Sequence, residues 1–532
     1  MKTRQIIVLA ALVLALISGY VPAQGDDTST NSWPLTAQRS GKKRPPKNDQ
    51  RSPQDEGHSP RNEGRQPQNN QRQPKNDQGR STRMTEPIQR QIGLIQNTSQ
   101  AFDGYTLFAP KHDTITYLMD NDGNIVHSWR SGYEPGQSVY LLENGNLLHA
   151  SFIGPRGSKT FGGGGDGGRV ELFDWDGNLI WELNYSTDQY FSHHDVEPLP
   201  NGNILLIVWE YRSQAQALAA GRDPNLLADG KLWPDSVVEI KPTGTNGADV
   251  VWEWHVWDHL IQDYDASKAN YGDVGAHPEL IDINVWVETG SPARANWNHM
   301  NSIDYNPELD QIMLSVRGFS ELWVIDHSTT TAEASAHSGG RSGKGGDLLY
   351  RWGNPAAYRA GTTTDQMLFQ QHDAQWIEPG LPGAGNILIY NNGIERSYST
   401  VDEIIPPVDG NGNYTLETGK AFEPKATYWL YKAPNPTDFF SGEISGAHRL
   451  PNGNTLICEG IHGHFFEVTP DGKIVWEYVN PNAGDGPLRQ GEPIAIDVRG
   501  HPMNAVFKIH RYAADYVGLV GKDLTSQGKL VQ

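Results

Sequence analysis

The chain holds a single cysteine, Cys458, inside the apolar run NTLICEG. An intrachain disulfide is therefore excluded, as are thiolate zinc sites that need several sulfurs, and the residue reads as a small buried strand position. Charge is also sparse. Only 20% of residues are charged and the formal net charge is -20, which argues against nucleic acid as a partner while leaving room for one anion-binding pocket. No G-x-x-x-x-G-K-[ST] phosphate loop is present; the Gly-rich GGGGDGG at Gly162–Gly168 does not fit that pattern and reads as a flexible loop. Long helical periodicities are scarce. With 57 Gly, 34 Pro and 16 Trp, the composition points instead to an all-β protein.

The one long apolar run lies at the start, MKTRQIIVLAALVLALISGYVPAQG. Lys2 and Arg4 precede an apolar stretch, Ile6 to Ile17, too short to span a bilayer comfortably, and Val21-Pro22-Ala23 offers small residues for cleavage. Residues 1–23 are thus read as a signal peptide, placing the mature protein in the periplasm or outside the cell with no stable membrane anchor. Residues 24–95 are low in complexity and nearly free of large apolar side chains, and are read as a disordered, mildly basic linker.

From about residue 101 a repeat sets in. One form is strand, Asn-Gly turn, strand: VYLLENGNLLHAS, DVEPLPNGNILLIVW and AHRLPNGNTLICEG. Its turns are expected to be type I′. The other uses an Asp-Gly turn: TYLMDNDGNIVHSW, VELFDWDGNLIWEL and FEVTPDGKIVWEY. Two hairpins make four strands, one propeller blade. Six blades are expected, spanning about 102–129, 138–183, 194–254, 298–353, 371–432 and 445–479, within a propeller domain of 101–519 followed by a tail of 520–532. A seventh would have to hide between Trp254 and Trp297. The run AVFKIHRYAADY is placed to return to the first blade and close the ring, which removes free sheet edges. Tryptophans ending the second hairpins are expected to pack between blades.

In a propeller the first strand of each blade lines the central channel. In NHMNSIDYNPELDQIMLSVRG a turn centred near Glu308 sets His299 opposite Arg317 at the open end of a hairpin. His194 in HHDVEPLPNGN and His372 in QHDAQW occupy the register of His299 in neighbouring blades. Three imidazoles and one guanidinium are therefore expected at one channel mouth. His193 is expected to point away, because strand side chains alternate. Asp195 and Asp373 are expected to orient backbone or rings. In the last blade Ser445 takes the register and His448 is displaced from it. Three convergent histidines also suit a transition metal, as in a metal-dependent propeller lyase, although Arg317 would repel a cation there. A non-catalytic secreted binding propeller is the other alternative.

The segments NHMNS, SVRG, QHDAQW with NILIYNNG, and VFKIHRYAADY resemble the bacterial arylsulfate sulfotransferases, which use no nucleotide sulfate donor. The resemblance implies a six-bladed propeller that moves a sulfuryl group from a phenolic sulfate ester to a phenolic acceptor, without metal or other cofactor. It implies His372 as the covalently modified nucleophile, and Arg317 and His299 as groups balancing the anion. It gives Asn301 a sulfate-contact role and makes His194 the remaining active-site histidine, with His193 the less favoured choice. Ping-pong kinetics through a sulfohistidine would follow.

Overall fold

A computed structural model describes residues 86–154, 157–285, 294–484, 486–498 and 500–531. The expected signal peptide and most of the expected linker lie outside them. The described residues form a six-bladed β-propeller of antiparallel four-stranded sheets. Blades 2 to 5 are contiguous in sequence. Blade 2 runs Glu134–Leu141, Leu147–Phe152, Gly168–Phe173 and Leu179–Asn184, and blade 4 runs Met300–Asn306, Gln311–Val316, Glu321–Asp326 and Tyr350–Trp352. Alternation puts the apolar face of each strand against the next blade, so the core is a set of inter-blade layers and not one central mass.

The ring is latched at both chain ends. His510–Ala513 pairs with Gly104–Phe108 and supplies the innermost strand of blade 1, the closure the sequence suggested. Gly93–Asn97 pairs with Ile474–Val479 as a fifth, outermost strand of blade 6. Ile88 already bridges Ile494. The folded chain therefore begins within the span 24–95 that composition marks as linker. The tail is also used: the Ile125 N–H donates to the Gly528 carbonyl at 2.8 Å.

Each fourth strand carries a tryptophan whose indole N–H donates to a backbone carbonyl of the following blade. Trp129 reaches Asp174, Trp181 Gly247, Trp254 Gly346, Trp352 Pro424, Trp429 Pro470 and, closing the circle, Trp476 Asn121, all at 2.7 to 3.0 Å. A large apolar ring with one donor suits this seam, because its body packs while its N–H is satisfied.

The Asn-Gly turns are not type I′. The Gly145 N–H donates to the Leu142 carbonyl and the Leu142 N–H to the Asn146 carbonyl, and Gly202 and Gly453 repeat the pattern. The glycines alone take positive φ, at 82, 84 and 87°, while Asn144, Asn201 and Asn452 do not. These are type I turns closed by a left-handed glycine, one residue longer than a two-residue loop. Between Trp254 and Trp297 the described residues form 3-10 turns and a two-residue parallel pair, Leu260–Ile261 with Ile281–Asp282, and no seventh blade.

Candidate active site

The innermost strands of blades 2 to 6 share a backbone device. Near the start of each, at least one non-glycine residue adopts left-handed backbone: Gln137, His194, His299, Asp373 and Ser445, with φ of 107, 54, 53, 52 and 89°. Ladder register shifts accompany it at Pro135/Val139, Met300/Ser302 and His372/Gln375. Such bulges break the in-out alternation and re-aim side chains. In blade 4 the bulge falls at Asn301, leaving Met300 opposite Val316. The Arg317 N–H donates to the His299 carbonyl at 3.2 Å, so the two residues face each other as the hairpin pattern predicts.

A cavity of about 320 Å3 opens at this end of the channel, and His194, His299, Arg317 and His372 all line it. That volume is at the small end of ligand sites. The His194 and His299 rings lie 4.9 Å apart, and Phe507 packs 6.2 Å from His194 and 6.4 Å from His372. The Gly162–Gly168 loop forms a wall. His194 donates its backbone N–H to the Gly165 carbonyl at 2.8 Å, and a Cβ on Gly165, whose φ is +87°, would stand 1.9 Å from the imidazole. The loop read as flexible from its glycines is thus a close cover, and glycine is required because the ring occupies the side-chain space.

Hydrogen-bond partners assign the tautomers. Asn392 donates its Nδ2 to the carbonyls of Ser441 and Ile444 at 2.7 and 2.9 Å, so its Oδ1 accepts from Nδ1–H of His372 at 2.8 Å. Nε2 of His372 then carries the lone pair and accepts the Ile444 N–H at 3.1 Å. Asn296 Nδ2 donates to Nδ1 of His299 at 2.9 Å, which leaves His299 with an Nε2–H. Burial, reinforced by Arg317, pushes His372 down to about 3. Burial also holds His299 and His194 well below the ordinary imidazole range, with Arg317 adding to the effect on His299 and the His299 ring to that on His194. The site therefore offers neutral imidazoles beside a guanidinium.

Asn301, expected to contact sulfate, stands behind the site, and so does His193, as strand alternation predicts. Asn301 is fully buried and donates its Nδ2 to the Gln371 carbonyl at 2.8 Å, fixing the strand that carries His372. His193 points away from the cavity yet touches its neighbour: its Nδ1 lies 2.8 Å from Nδ1 of His194, and its Nε2 3.1 Å from Oδ1 of Asp235. Asp195 accepts from Tyr140 and Lys508, and Asp373 from Lys508 and the Ala447 N–H. Lys508 is a buried cation; burial opposes its charge, but the two carboxylates outweigh that and raise its affinity for the proton. Ser445 is buried in hydrogen bonds to Ser441 and the Gly460 N–H, and His448 lines a separate cavity of about 800 Å3 toward the other end of the channel. The pattern search missed Lys111, which lines the small cavity and donates its Nζ to Gln137 Oε1 at 2.8 Å, and also Asp235 and Asn392. Asn392 lies in NILIYNNG and Lys508 in VFKIHRYAADY, so the signal was present as motif but not as spacing.

Among the described residues, one group of three side chains converges as metal ligands could: His259, His337 and Asp347, away from the cavity. Both Nδ1 atoms meet Asp347 Oδ1, at 2.8 and 2.7 Å, which are hydrogen-bond lengths. The carboxylate pins the insertion after blade 4's third strand.

Neutral imidazoles and an arginine thus share one cavity at the channel mouth of a six-bladed propeller. The family model of the arylsulfotransferases (ASST) matches residues 84–485, and the chain belongs to that family. No curated protein matches. Among solved structures the chain is similar to a protein of unknown function from Bacteroides caccae, at 12% identity and TM-score 0.40, over 77% of this chain and 99% of that one. It is also similar to virginiamycin B lyase from Staphylococcus aureus, at 8% identity and TM-score 0.34, over 78% and 97%. Likenesses this loose carry no argument about chemistry.

Proposed function

We propose that this arylsulfotransferase-family protein moves a sulfuryl group from a phenolic sulfate ester to a phenolic acceptor in two steps through a sulfohistidine at His372. The observation that carries the reading is the Asn392-fixed tautomer of His372, which leaves Nε2 unprotonated on a ring that lines one cavity with Arg317. The sulfonate oxygens lie against the Arg317 guanidinium and the Nε2–H of His299. Nε2 of His372 attacks sulfur, exchanging its hydrogen bond from Ile444 for an N–S bond. The S–O bond to the aryl group breaks and its electron pair goes to the phenolate oxygen. Arg317, His299 and Lys111 balance charge preorganised in a largely water-excluding site. The second step reverses the first with a new phenol. Neutrality of His372 serves the attack, since a protonated ring has no lone pair to give. The reading includes a periplasmic or secreted location.

The test is incubation with 4-nitrophenyl sulfate, with and without phenol, followed by intact-mass measurement. Wild type is expected to release 4-nitrophenol faster with phenol, and to gain one sulfuryl mass without it. His372→Ala is expected to do neither. Equal release by the two proteins would overturn the assignment.

A further inference from the structure

The proposed chemistry, on which this inference rests, needs a proton at two moments. The leaving phenolate must receive one, and the acceptor phenol must lose one. A cavity imidazole would ordinarily become imidazolium, but buried rings beside Arg317 resist that charge. A proton must come from elsewhere.

Behind His194 stands an unbroken chain of hydrogen bonds. Its Nδ1 is 2.8 Å from Nδ1 of His193, and Nε2 of His193 is 3.1 Å from Oδ1 of Asp235. Asp235 Oδ2 accepts the Met300 N–H at 2.8 Å, which holds the carboxyl in place. Both the His193 and Asp235 side chains are fully buried, and Trp209 stacks on His193 at 4.1 Å with planes 15° apart. Two facing Nδ1 atoms can share only one hydrogen. The chain therefore has two self-consistent states. With Asp235 ionised, His193 donates to it from Nε2 and accepts at Nδ1, so His194 keeps Nδ1–H and shows a lone pair at Nε2. With Asp235 protonated, each hydrogen bond reverses and His194 shows Nε2–H.

We propose that Asp235, His193 and His194 form a proton wire that lets His194 act first as acid and then as base while neither ring is ever charged. In the first step the Nε2–H of His194 goes to the departing phenolate oxygen. The Nδ1 proton of His193 moves to Nδ1 of His194, and the Asp235 carboxyl proton moves to Nε2 of His193. The products are a free phenol, the sulfohistidine and an Asp235 carboxylate. In the second step the acceptor phenol gives its proton to Nε2 of His194, and the wire returns the same charge to Asp235. Burial raises the affinity of Asp235 for a proton, the direction a reservoir requires. His194 is the catalytic residue; His193 and Asp235 act through it.

Leaving-group dependence separates this role from a structural one. A strongly acidic phenol leaves without a proton, whereas phenol itself does not. In single-turnover experiments, Asp235→Asn and His193→Gln are expected to release 4-nitrophenol from 4-nitrophenyl sulfate within roughly 5-fold of wild type, yet to release phenol from phenyl sulfate about 100-fold more slowly, the scale of acid–base catalysis. Equal slowing of both donors, or of neither, would overturn the wire. For wild type, mixtures of light and heavy water give a check that needs no variant. Phenyl sulfate turnover is expected to fall along a curve, the mark of several protons in motion, and a straight line would overturn the proposal. A wild type that transfers no sulfuryl group at all would instead sink the proposed function, before any variant is made.

Discussion

His194 and His299 sit in left-handed backbone that costs on the order of 1–3 kcal/mol for a non-glycine residue, and the site is where that strain is concentrated. The strain aims two imidazoles at one point. Gly165 is its complement, because any side chain there would occupy the space of the His194 ring. Gly165→Ala is expected to lower kcat/KM by at least about 100-fold, as misplacement of a catalytic group does, and to lower the melting temperature as well, because a side chain is strained at this positive φ; unchanged kinetics would contradict the close cover. Asn392→Ala frees the tautomer of His372 and is expected to slow sulfoenzyme formation by about 10- to 100-fold, read as accumulation of the sulfuryl mass. The meeting of His194, His299 and His372 at one cavity could be read from the chain, although their register is not shared, since the left-handed position of blade 5 is Asp373. The outward turn of His193 followed from alternation, but the placement of Asn301 behind the site did not, because a bulge at that residue resets the alternation. Asp235 was hidden for another reason: it lies on a third strand of the ladder, where period-2 patterning gives it no distinction.

At the level of the element, the repeat was legible because Asn-Gly and Asp-Gly turns punctuate apolar runs at even spacing. The turn type was not, since the same dipeptide serves a two-residue loop or a type I turn closed by glycine, and only backbone φ decides between them. The tryptophans were expected as packing; their donation to the next blade emerges only in three dimensions. Each indole bond contributes about 1 kcal/mol, so Trp254→Phe is expected to lower unfolding free energy by roughly that amount plus a smaller packing loss. Denaturant titration would read it, and a change below experimental error would argue that the seam is held by apolar contact alone. The insertion after Trp254 defeated pattern reading altogether, because 3-10 turns carry no periodicity.

Across the whole molecule, buried imidazoles set opposite pH limits. His372 and His149 are pushed down to about 3 and about 4, chiefly by burial. Each has a folded value below its unfolded value near 6.5, so the unfolded chain binds more protons and stability falls as pH drops from about 6.5 toward those values, on the order of 1–2 kcal/mol per ring by pH 5. His327 has the opposite sign. Burial opposes its charge, but hydrogen bonds to Asp310 and Glu239 outweigh that and raise it to about 9. Its contribution is complete below about 6.5 and is lost as pH rises through 9. The melting temperature is therefore expected to peak between about pH 6.5 and 7. In His327→Gln the alkaline decline should shrink while the acid one remains; an unaltered alkaline limb would remove His327 as its cause.

The strand His510–Ala513 and the nearby Phe507 and Lys508 come from the far end of the chain, yet they finish the first blade and the packing beneath the imidazoles. Synthesis runs from the N-terminus, so a growing polypeptide can assemble five blades while its catalytic residues still lack their support. The proposed chemistry must wait until that strand has left the ribosome, and a message cut short before it would yield a protein with His194, His299 and His372 but without the packing beneath them.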